Sequence, residues 1–320
     1  DMYNLREMDR RDFVKRLGGG LIIAFSVSNL SYIRGDSEEK ENRDMNAYLH
    51  IGEDGRVTLY TGKIEMGQGP ITSLPMMLAD ELDVKLAAVD IIMGDTDICP
   101  WDEGTYGSLS TRVFGQTLRH AAAEARAMLL KMAAGKLDVP VNQLQASEGV
   151  ITVKGNSTKQ VTFAELTKGK AIFSTLKEEP PLKKASDFKI IGTSRLHADG
   201  YEKVTGKAKF SGDIHLPEMR YARIIRPPSL GAKLVNIDTS GAEKIEGTEI
   251  VRDGDFIALL NTSKDAVDSA YERVTEKWEE ENLPVDNNSL FEYLKKKGTE
   301  ANEIDAGGNL EDGENRAEKR

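Results

Sequence analysis

Two short segments of the sequence combine glycines with polar side chains and could therefore bind a ligand. The first is Lys63-Ile-Glu-Met-Gly-Gln-Gly69. Glycines on both sides of Gln68 let the backbone come close to a ligand, because glycine has no Cβ and tolerates left-handed torsion angles. The Gln68 amide offers donors as well as an acceptor. Gly67, Gln68 and Gly69 are therefore the first candidate binding residues.

The second segment is Gly104-Thr-Tyr-Gly-Ser-Leu-Ser-Thr-Arg112, and a long predicted helix follows it directly. Hydroxyl groups, the N–H groups of a helix start and an arginine can together hold a phosphate without a Walker lysine. However, serine or threonine ahead of a helix is also an ordinary N-cap. The residues alone leave both interpretations open. The candidates in this segment are Gly107, Ser108, Leu109, Ser110, Thr111 and Arg112.

The cysteine and histidine content does not predict a protein-ligated metal site. The single cysteine, Cys99, cannot form an internal disulfide or a four-thiolate zinc or iron–sulfur site within this chain. We interpret it as a small, semi-buried apolar residue. No two histidines have the i, i+4 spacing of a helical metal site, so we interpret each as structural. They are His50, His120, His197 and His215.

The composition limits the number of domains and the class of partner. A chain of 320 residues is long enough for two domains. Its hydrophobic content of 39% is low and its charged content of 30% is high, so we expect a polar or disordered end. The net charge of −10 argues against nucleic-acid binding, which needs a basic surface.

Apolar periodicity predicts an α+β fold for residues 46–172, the first domain. Alternating residues around Asp54-Gly55 predict a β-hairpin over residues 46–62. The longest helix runs from about Thr111 to Leu137, because apolar residues recur three and four positions apart. The other predicted elements are a helix from Pro70 to Leu82, a strand from Val89 to Met93, a strand over 149–155 and a short helix over 163–168.

A second domain is predicted over residues 190–284, after a Lys-rich linker with Pro180-Pro181 at residues 173–189. Its predicted elements are strands at Tyr221 to Ile225, Lys233 to Ile237 and Phe256 to Leu260, and a helix from Lys264 to Trp278. Residues 285–320 form a polar tail. The composition of its end, Gly307 to Arg320, predicts disorder or ordering only on a partner.

Residues 1–35 are predicted to be an export signal of the twin-arginine type. Arg10 and Arg11 precede a short, glycine-rich apolar stretch from Leu17 to Ser28. That stretch is too short for a comfortable transmembrane helix, which needs about 20 residues. An amphipathic helix with two chance arginines is the alternative. If retained, the segment would pack on a partner or lie at a membrane.

The order of these segments resembles the molybdopterin-binding subunit of the xanthine dehydrogenase/aldehyde oxidase family, in particular its bacterial isoquinoline 1-oxidoreductase branch. The stretches similar to the signal and cofactor-binding parts are Asp9 to Lys15, Ala47 to Gly62, Met66 to Gly69, Gly94 to Thr96 and Gly107 to Arg112. The stretches similar to the family's α/β hammerhead domain are Lys203 to Phe210, Asp213 to Pro217, Arg226 to Pro228 and Val251 to Phe256.

The resemblance implies a subunit of a molybdenum hydroxylase that oxidises an aldehyde or an N-heterocycle with water-derived oxygen. It implies that Gln68 and its flanking glycines contact the pterin–molybdenum end of molybdopterin, and that residues 107–112 hold its pyrophosphate. We expect the cytosine dinucleotide form, which is frequent in bacterial members. The pterin dithiolene carries the metal in this family, so no protein metal ligand is expected here.

The chain departs from the family pattern because the second set of cofactor loops and the glutamate base have no counterpart in it. Asp312-Gly-Glu314 does not resemble the base-bearing segment. We therefore expect no catalytic residue in this chain. The large subunit is expected to be either split between two polypeptides or truncated, and the split subunit is the favoured explanation. The implied partners are the chain with the remaining cofactor loops and the glutamate, an iron–sulfur subunit with [2Fe-2S] clusters, and a periplasmic c-type cytochrome.

Two other functions are compatible with these features. A non-catalytic scaffold could have kept the fold, although the intact Gly67-Gln68-Gly69 and Ser108-Leu-Ser110 segments argue against it. The third possible function is a free hammerhead-type adaptor at a membrane. This hypothesis is supported only by the apolar start of the chain.

Overall fold

The computed structural model describes residues 19–25, 47–175, 180–280, 285–298 and 307–317. These residues form several sheets and helices, which divide into two compact units at Lys209/Phe210. Unit 1 contains both candidate segments. The predicted boundary near residue 190 therefore lies about twenty residues before the division in the structure.

Unit 1 is built on a five-stranded mixed sheet with the order β4-β3-β2-β1-β8. Its strands are β1 (Gly20–Phe25), β2 (Ala47–Ile51), β3 (Val57–Thr61), β4 (Val89–Met93) and β8 (Ala171–Thr175). Strand β2 is antiparallel to both β1 and β3, whereas β4 and β8 pair in parallel with β3 and β1. The predicted hairpin is confirmed as β2–β3, with Tyr48 opposite Tyr60.

Two helices cover one face of this sheet. They are α1 (Pro70–Leu82) and α2 (Gly115–Leu137), and the five-residue π-helical turn Ser110–Phe114 leads into α2. Leu118, Ala122, Ala125 and Leu129 of α2 are fully buried at helical spacing, which confirms the predicted amphipathic helix. They pack with Leu74 and Leu78 of α1 against the apolar side of the sheet.

A smaller antiparallel sheet completes unit 1. Its strands are β5 (Leu144–Ser147), β6 (Val150–Val153) and β7 (Asn156–Thr162). Two short α-helices in the described part of the unit are α3 (Phe163–Thr167) and α4 (Gly200–Val204). Helix α3 begins in a capping box in which Thr162 and Glu165 exchange hydrogen bonds. The predicted strand at 149–155 and helix at 163–168 are thus present.

The apolar stretch that we assigned to an export signal supplies a core strand. Within the described residues 19–25, β1 lies between β2 and β8, and Leu21, Ile23 and Phe25 are at most 1% exposed. A short apolar run cannot be classified by periodicity alone, and the pairing partners are distant in sequence. This part of the stretch therefore packs on its own chain. Arg10 and Arg11 lie outside the described residues.

The described part of the predicted linker is packed on unit 1. Residues 171–175 form β8, and the N–H groups of Lys189, Ile190 and Ile191 all donate to the buried carboxylate of Asp80 in α1 at 2.9–3.1 Å. A lysine- and proline-rich composition predicted a linker, but it does not reveal that a buried carboxylate elsewhere binds this backbone.

Unit 2 contains two sheets and four α-helices within its described residues. The three-stranded sheet has the order β11-β12-β9, and β10 pairs with β13. The strands are β9 (Tyr221–Ile225), β10 (Lys233–Asp238), β11 (Glu249–Asp253), β12 (Phe256–Asn261) and β13 (Thr275–Glu279). The helices are α5 (Ser240–Glu243), α6 (Lys264–Tyr271), α7 (Leu290–Lys297) and α8 (Leu310–Arg316). Ile225, Ile257, Leu259 and Val267 lie at the centre of the core.

Two predictions for unit 2 need correction. The helix predicted from Lys264 to Trp278 ends at Tyr271, and the rest of that stretch forms β13, antiparallel to β10. Pairing with a strand forty residues earlier overrides the helical pattern at Thr275. The end of the tail was predicted to be disordered or ordered only on a partner. Its described part forms the helix α8, which contradicts disorder; α8 is capped by the Asn309 side chain and has no buried residue. No described helix combines the length and apolar character that crossing a membrane requires.

Candidate functional site

The first candidate segment is a glycine loop that joins β3 to α1. Gly67 and Gly69 have φ angles of 99° and 90°, in the left-handed region that favours glycine. Gly69 is also the N-cap of α1, and Pro70 starts the helix because its fixed φ suits the first helical position. Two of the three predicted binding residues of this segment are therefore required by its backbone geometry.

Glu65 belongs to this loop, and its side chain accepts hydrogen bonds from the loop's own backbone. Its carboxylate accepts N–H bonds from Gly67 at 2.7 Å, Gly69 at 3.1 Å and Ile71 at 3.1 Å. Partial burial raises the pKa of Glu65, but the hydrogen bonds from Ile71, Gly69 and Gly67 outweigh it, so the net pKa lies below the ordinary value. A negative charge thus occupies the positive end of α1, where the helix dipole favours it.

Gln68 uses both ends of its amide inside the same loop. Its Oε1 accepts from the Met66 N–H at 2.6 Å, and its Nε2 donates to the Ile64 carbonyl at 3.0 Å. The side chain is exposed. In this conformation Gln68 holds the shape of the loop.

The second candidate segment is a strained loop that ends in the π-helical turn. Gly104, Gly107 and Ser108 have φ angles of 130°, 63° and 55°. A serine in the left-handed region is uncommon, and such strain is found most often at functional sites. The turn has Leu109 as its N-cap with no side-chain cap, so the helix start is not occupied as it is in an ordinary capped helix.

The side chains of the second segment differ in exposure. Leu109 and Ser110 are buried, whereas Ser108, Thr111 and Arg112 are exposed. Leu109 therefore anchors the turn, while the neighbouring hydroxyl and guanidinium groups are accessible to a ligand. Phosphate binding by these residues stays a prediction.

A buried ion pair connects the two segments. Lys63 Nζ donates to Asp102 Oδ1 at 2.8 Å and to the Gly104 carbonyl at 2.7 Å, and the two side chains are 0% and 1% exposed. Asp102 Oδ1 also accepts the Gly104 N–H at 2.9 Å. The first residue of the first segment is thereby fixed to the start of the second.

Two hydroxyl contacts reinforce this connection. The Ile64 N–H donates to Thr105 Oγ1 at 2.9 Å, and the Ser73 and Thr111 hydroxyls lie 3.2 Å apart. Two segments about forty residues apart in sequence therefore form one surface. Gly94 belongs to this region as well, because a Cβ there would lie 2.6 Å from the Ile64 side chain.

Large apolar side chains are exposed around both loops. Ile64 and Met66 are 42% and 62% exposed on the first loop, and Trp101 and Tyr106 are 74% and 42% exposed on the second. Four such side chains on two loops that contact each other favour a binding surface for a ligand or a partner chain.

The donors on this surface suit an organic, phosphate-bearing ligand. Left-handed glycines permit close backbone approach, and hydroxyls with an arginine supply hydrogen bonds and positive charge. No cluster of three or more His, Cys, Asp or Glu side chains able to hold a metal ion occurs within the described ranges. Cys99 is half-buried, donates from Sγ to the Ile92 carbonyl at 3.3 Å, and has a pKa raised by burial.

Sequence reasoning missed the residues that shape the site. Lys63 and Glu65 lie inside the first segment, yet only its glycines and glutamine were predicted to bind. An acidic residue shortly before a predicted helix start was a usable signal for Glu65. Asp102 carried no signal, because its partner Lys63 is 39 positions away.

Comparisons with known proteins relate most of the chain to molybdenum enzymes. Residues 2–214 match the family model described as the molybdopterin cofactor-binding domain. The chain is 29% identical over 283 residues to a component of the nicotinate dehydrogenase of Pseudomonas putida, and the match covers 85% of this chain and 24% of that protein. It is 25% identical over 285 residues to an isoquinoline 1-oxidoreductase chain of Brevundimonas diminuta, with 75% and 36% covered.

One solved structure with a similar stretch is the Cu,Mo-CO dehydrogenase in its carbon monoxide reduced state. It shows 33% sequence identity and a TM-score of 0.34, over 38% of this chain and 15% of that one. The chain spans about a quarter to a third of the length of the two curated relatives.

Proposed function

This chain belongs to the molybdopterin cofactor-binding domain family, and we propose that it holds part of the molybdopterin of a molybdenum hydroxylase. The observation that carries the proposal is the buried Lys63–Asp102 pair, which joins the two candidate loops into one surface. Neither loop alone distinguishes a cofactor site from an ordinary helix start, but their junction brings the candidate residues of both loops to a single surface.

The residues divide between the two ends of the ligand. Gly67, Gln68 and Gly69 would contact the pterin–molybdenum end. The residues that would hold the pyrophosphate are those of the second segment: Gly107, Ser108, Leu109, Ser110, Thr111 and Arg112. When bound, the molybdenum pterin supplies transfer of a water-derived oxygen to substrate carbon and uptake of two electrons. The roles of this chain are binding and orientation, and the cytosine dinucleotide form is the expected ligand.

Partner chains complete the proposed enzyme. The exposed apolar side chains of the two loops favour a partner chain that packs over them; these are Ile64, Met66, Trp101 and Tyr106. We assign the remaining cofactor loops and the glutamate base to that partner chain, and the [2Fe-2S] clusters and a c-type cytochrome to further chains. An aldehyde or an N-heterocycle is the proposed substrate class, and unit 2 is proposed to contain the hammerhead domain.

Export through the twin-arginine route to the periplasm remains part of the proposal. It rests on Arg10 and Arg11 in the sequence.

The test is analysis of molybdenum and pterin in the natively purified complex. Equimolar molybdenum and pterin per copy of this chain support the proposal. In the same protein, Ser110→Ala should lower cofactor content, whereas the control Ser147→Ala, an exposed serine of β5, should not. A complex that contains neither molybdenum nor pterin would contradict the proposal and favour a non-catalytic scaffold, in which hydrogen bonds within the chain hold the loop.

A further inference from the structure

His197 lies beside the first candidate loop, far from it in sequence. The Ala198 N–H donates to Thr72 Oγ1 at 2.9 Å, which places this segment across the first turn of α1. A Cβ built on Gly69 would lie 3.2 Å from His197 Nε2. The imidazole therefore faces Gly69, and the glycine keeps the space between them open.

Asp199 fixes the orientation of this imidazole. Its Oδ1 bonds to His197 Nδ1, and its Oδ2 forms a 2.6 Å ion pair with Lys203 Nζ. The hydrogen bond from Lys203 is the largest influence on the carboxylate and, with that from His197, lowers the pKa of Asp199. An ionised carboxylate accepts a hydrogen bond from the Nδ1–H group of the imidazole, so Nε2 is the ring nitrogen that is presented towards the loop.

The hydrogen-bonding groups of the loop itself are largely occupied. Glu65 accepts three of its N–H groups, and Gln68 bonds to Met66 and Ile64. His197 Nε2, in contrast, has no hydrogen bond within the residues described. It is therefore a polar atom placed at Gly69 that can still bind a ligand.

We propose that His197, oriented by Asp199, is a further binding residue of the first loop and bonds through Nε2 to a polar atom of the heteroaromatic ligand there. The inference rests on the proposed function, since the ligand meant is a pterin-class heterocycle. Asp199 is the positioning residue, in the way that carboxylates orient imidazoles at metal sites.

The experiment uses the natively purified complex and three variants: His197→Phe, His197→Gln and Asp199→Asn. His197→Phe keeps a planar ring of similar size but removes the nitrogen, whereas glutamine restores a donor and an acceptor. His215→Phe, in unit 2, is the matched control. The readouts are pterin content, from the fluorescence of the oxidised pterin, the rate of pterin release after dilution, and the thermal midpoint of cofactor-stripped protein.

We expect His197→Phe to release pterin about tenfold faster than the wild type, equivalent to ~1.4 kcal/mol. His197→Gln should recover part of this loss, Asp199→Asn should show an intermediate rate, and His215→Phe should match the wild type. The stripped proteins should have equal thermal midpoints.

Two results would overturn the inference while leaving the proposed function intact. One is wild-type pterin content and release in His197→Phe. The other is a thermal midpoint of the stripped His197→Phe protein that falls in parallel with its pterin content, which would show a structural role. A wild-type complex without pterin would instead overturn the proposed function itself.

Discussion

Replacing Lys63 with methionine should be one of the most damaging single substitutions in unit 1. Methionine keeps most of the side-chain volume but removes the ammonium that bonds Asp102 at 2.8 Å and the Gly104 carbonyl at 2.7 Å. The remaining carboxylate is 1% exposed, and its Oδ2 has no hydrogen-bond partner among the described residues even when Lys63 is present. Uncompensated buried charge of this kind costs about 3–5 kcal/mol, against a total stability of roughly 5–15 kcal/mol for a domain.

The assay is urea unfolding of the full chain. Trp101 is largely exposed, so hydrogen exchange at the buried residues Leu118 and Leu129 of α2, measured at increasing urea concentration, is the readout for unit 1. The double variant Lys63→Met/Asp102→Leu should recover part of the loss, because no unpaired charge then remains buried.

The exposed Arg56–Asp90 pair provides the matched control. Arg56 donates to Asp90 through Nε and Nη2 at 2.7–2.9 Å, but the two side chains are 49% and 51% exposed. Arg56→Met should hardly change the unfolding free energy, because solvent screens exposed pairs. A loss below ~1 kcal/mol for Lys63→Met, or equal losses for the two variants, would refute the argument that this pair holds the two loops together.

Three further predictions concern the loop and its support. Gly69→Ala should destabilise the chain by about 1–2 kcal/mol, because Gly69 has a φ of 90°. Gly135→Ala inside α2 should stabilise it by about 0.5–1 kcal/mol. Changes of the same sign in the free energy of unfolding, measured in urea, would contradict this. Since the folded pKa of Glu65 is lowered, its contribution is complete above the unfolded value of about 4.3 and is lost as the pH falls through the folded pKa. Glu65→Gln should thus flatten the acid limb of the stability profile, and an unchanged limb would exclude that role. Asp80→Asn should reduce hydrogen-exchange protection at Ile191, whose N–H donates to this carboxylate at 2.9 Å; retained protection would mean that the segment is held by other contacts.

Local sequence patterns were sufficient for the elements whose partners are nearby. The β2–β3 hairpin follows from alternation around a turn, and α2 follows from its apolar stripe. Gly67 and Gly69 could be identified as binding candidates because glycine-specific backbone geometry leaves a direct mark in the sequence. These features depend on interactions over a few residues.

The features that could not be predicted depend on partners that are far away in sequence. Strand β13 forms because β10 is available to pair with it. Lys63 is buried because Asp102 neutralises it, and His197 reaches Gly69 only through the fold of unit 1. The residue types of Lys63 and His197 argued against these positions. Lysine is seldom buried, and an isolated histidine is more often structural than a ligand contact.

Strand β1 links the apolar start of the chain to the candidate site, which leads to a final prediction. The Phe25 ring lies 5.9 Å from the ring of Phe114, the last residue of the π-helical turn that carries Ser110 and Arg112. Because β1 is a core strand of unit 1 and Phe25 is buried, Phe25→Ala should destabilise unit 1 by about 3–5 kcal/mol, and it should also weaken protection of the turn against hydrogen exchange. Phe25→Leu should cost less, because more volume is retained. If the apolar stretch acts only as an export signal, Phe25→Ala would change export and leave the stability of the purified protein unchanged. Urea unfolding with hydrogen exchange at Phe114 therefore decides whether the same residues must remain in the mature protein to support the π-helical turn Ser110–Phe114.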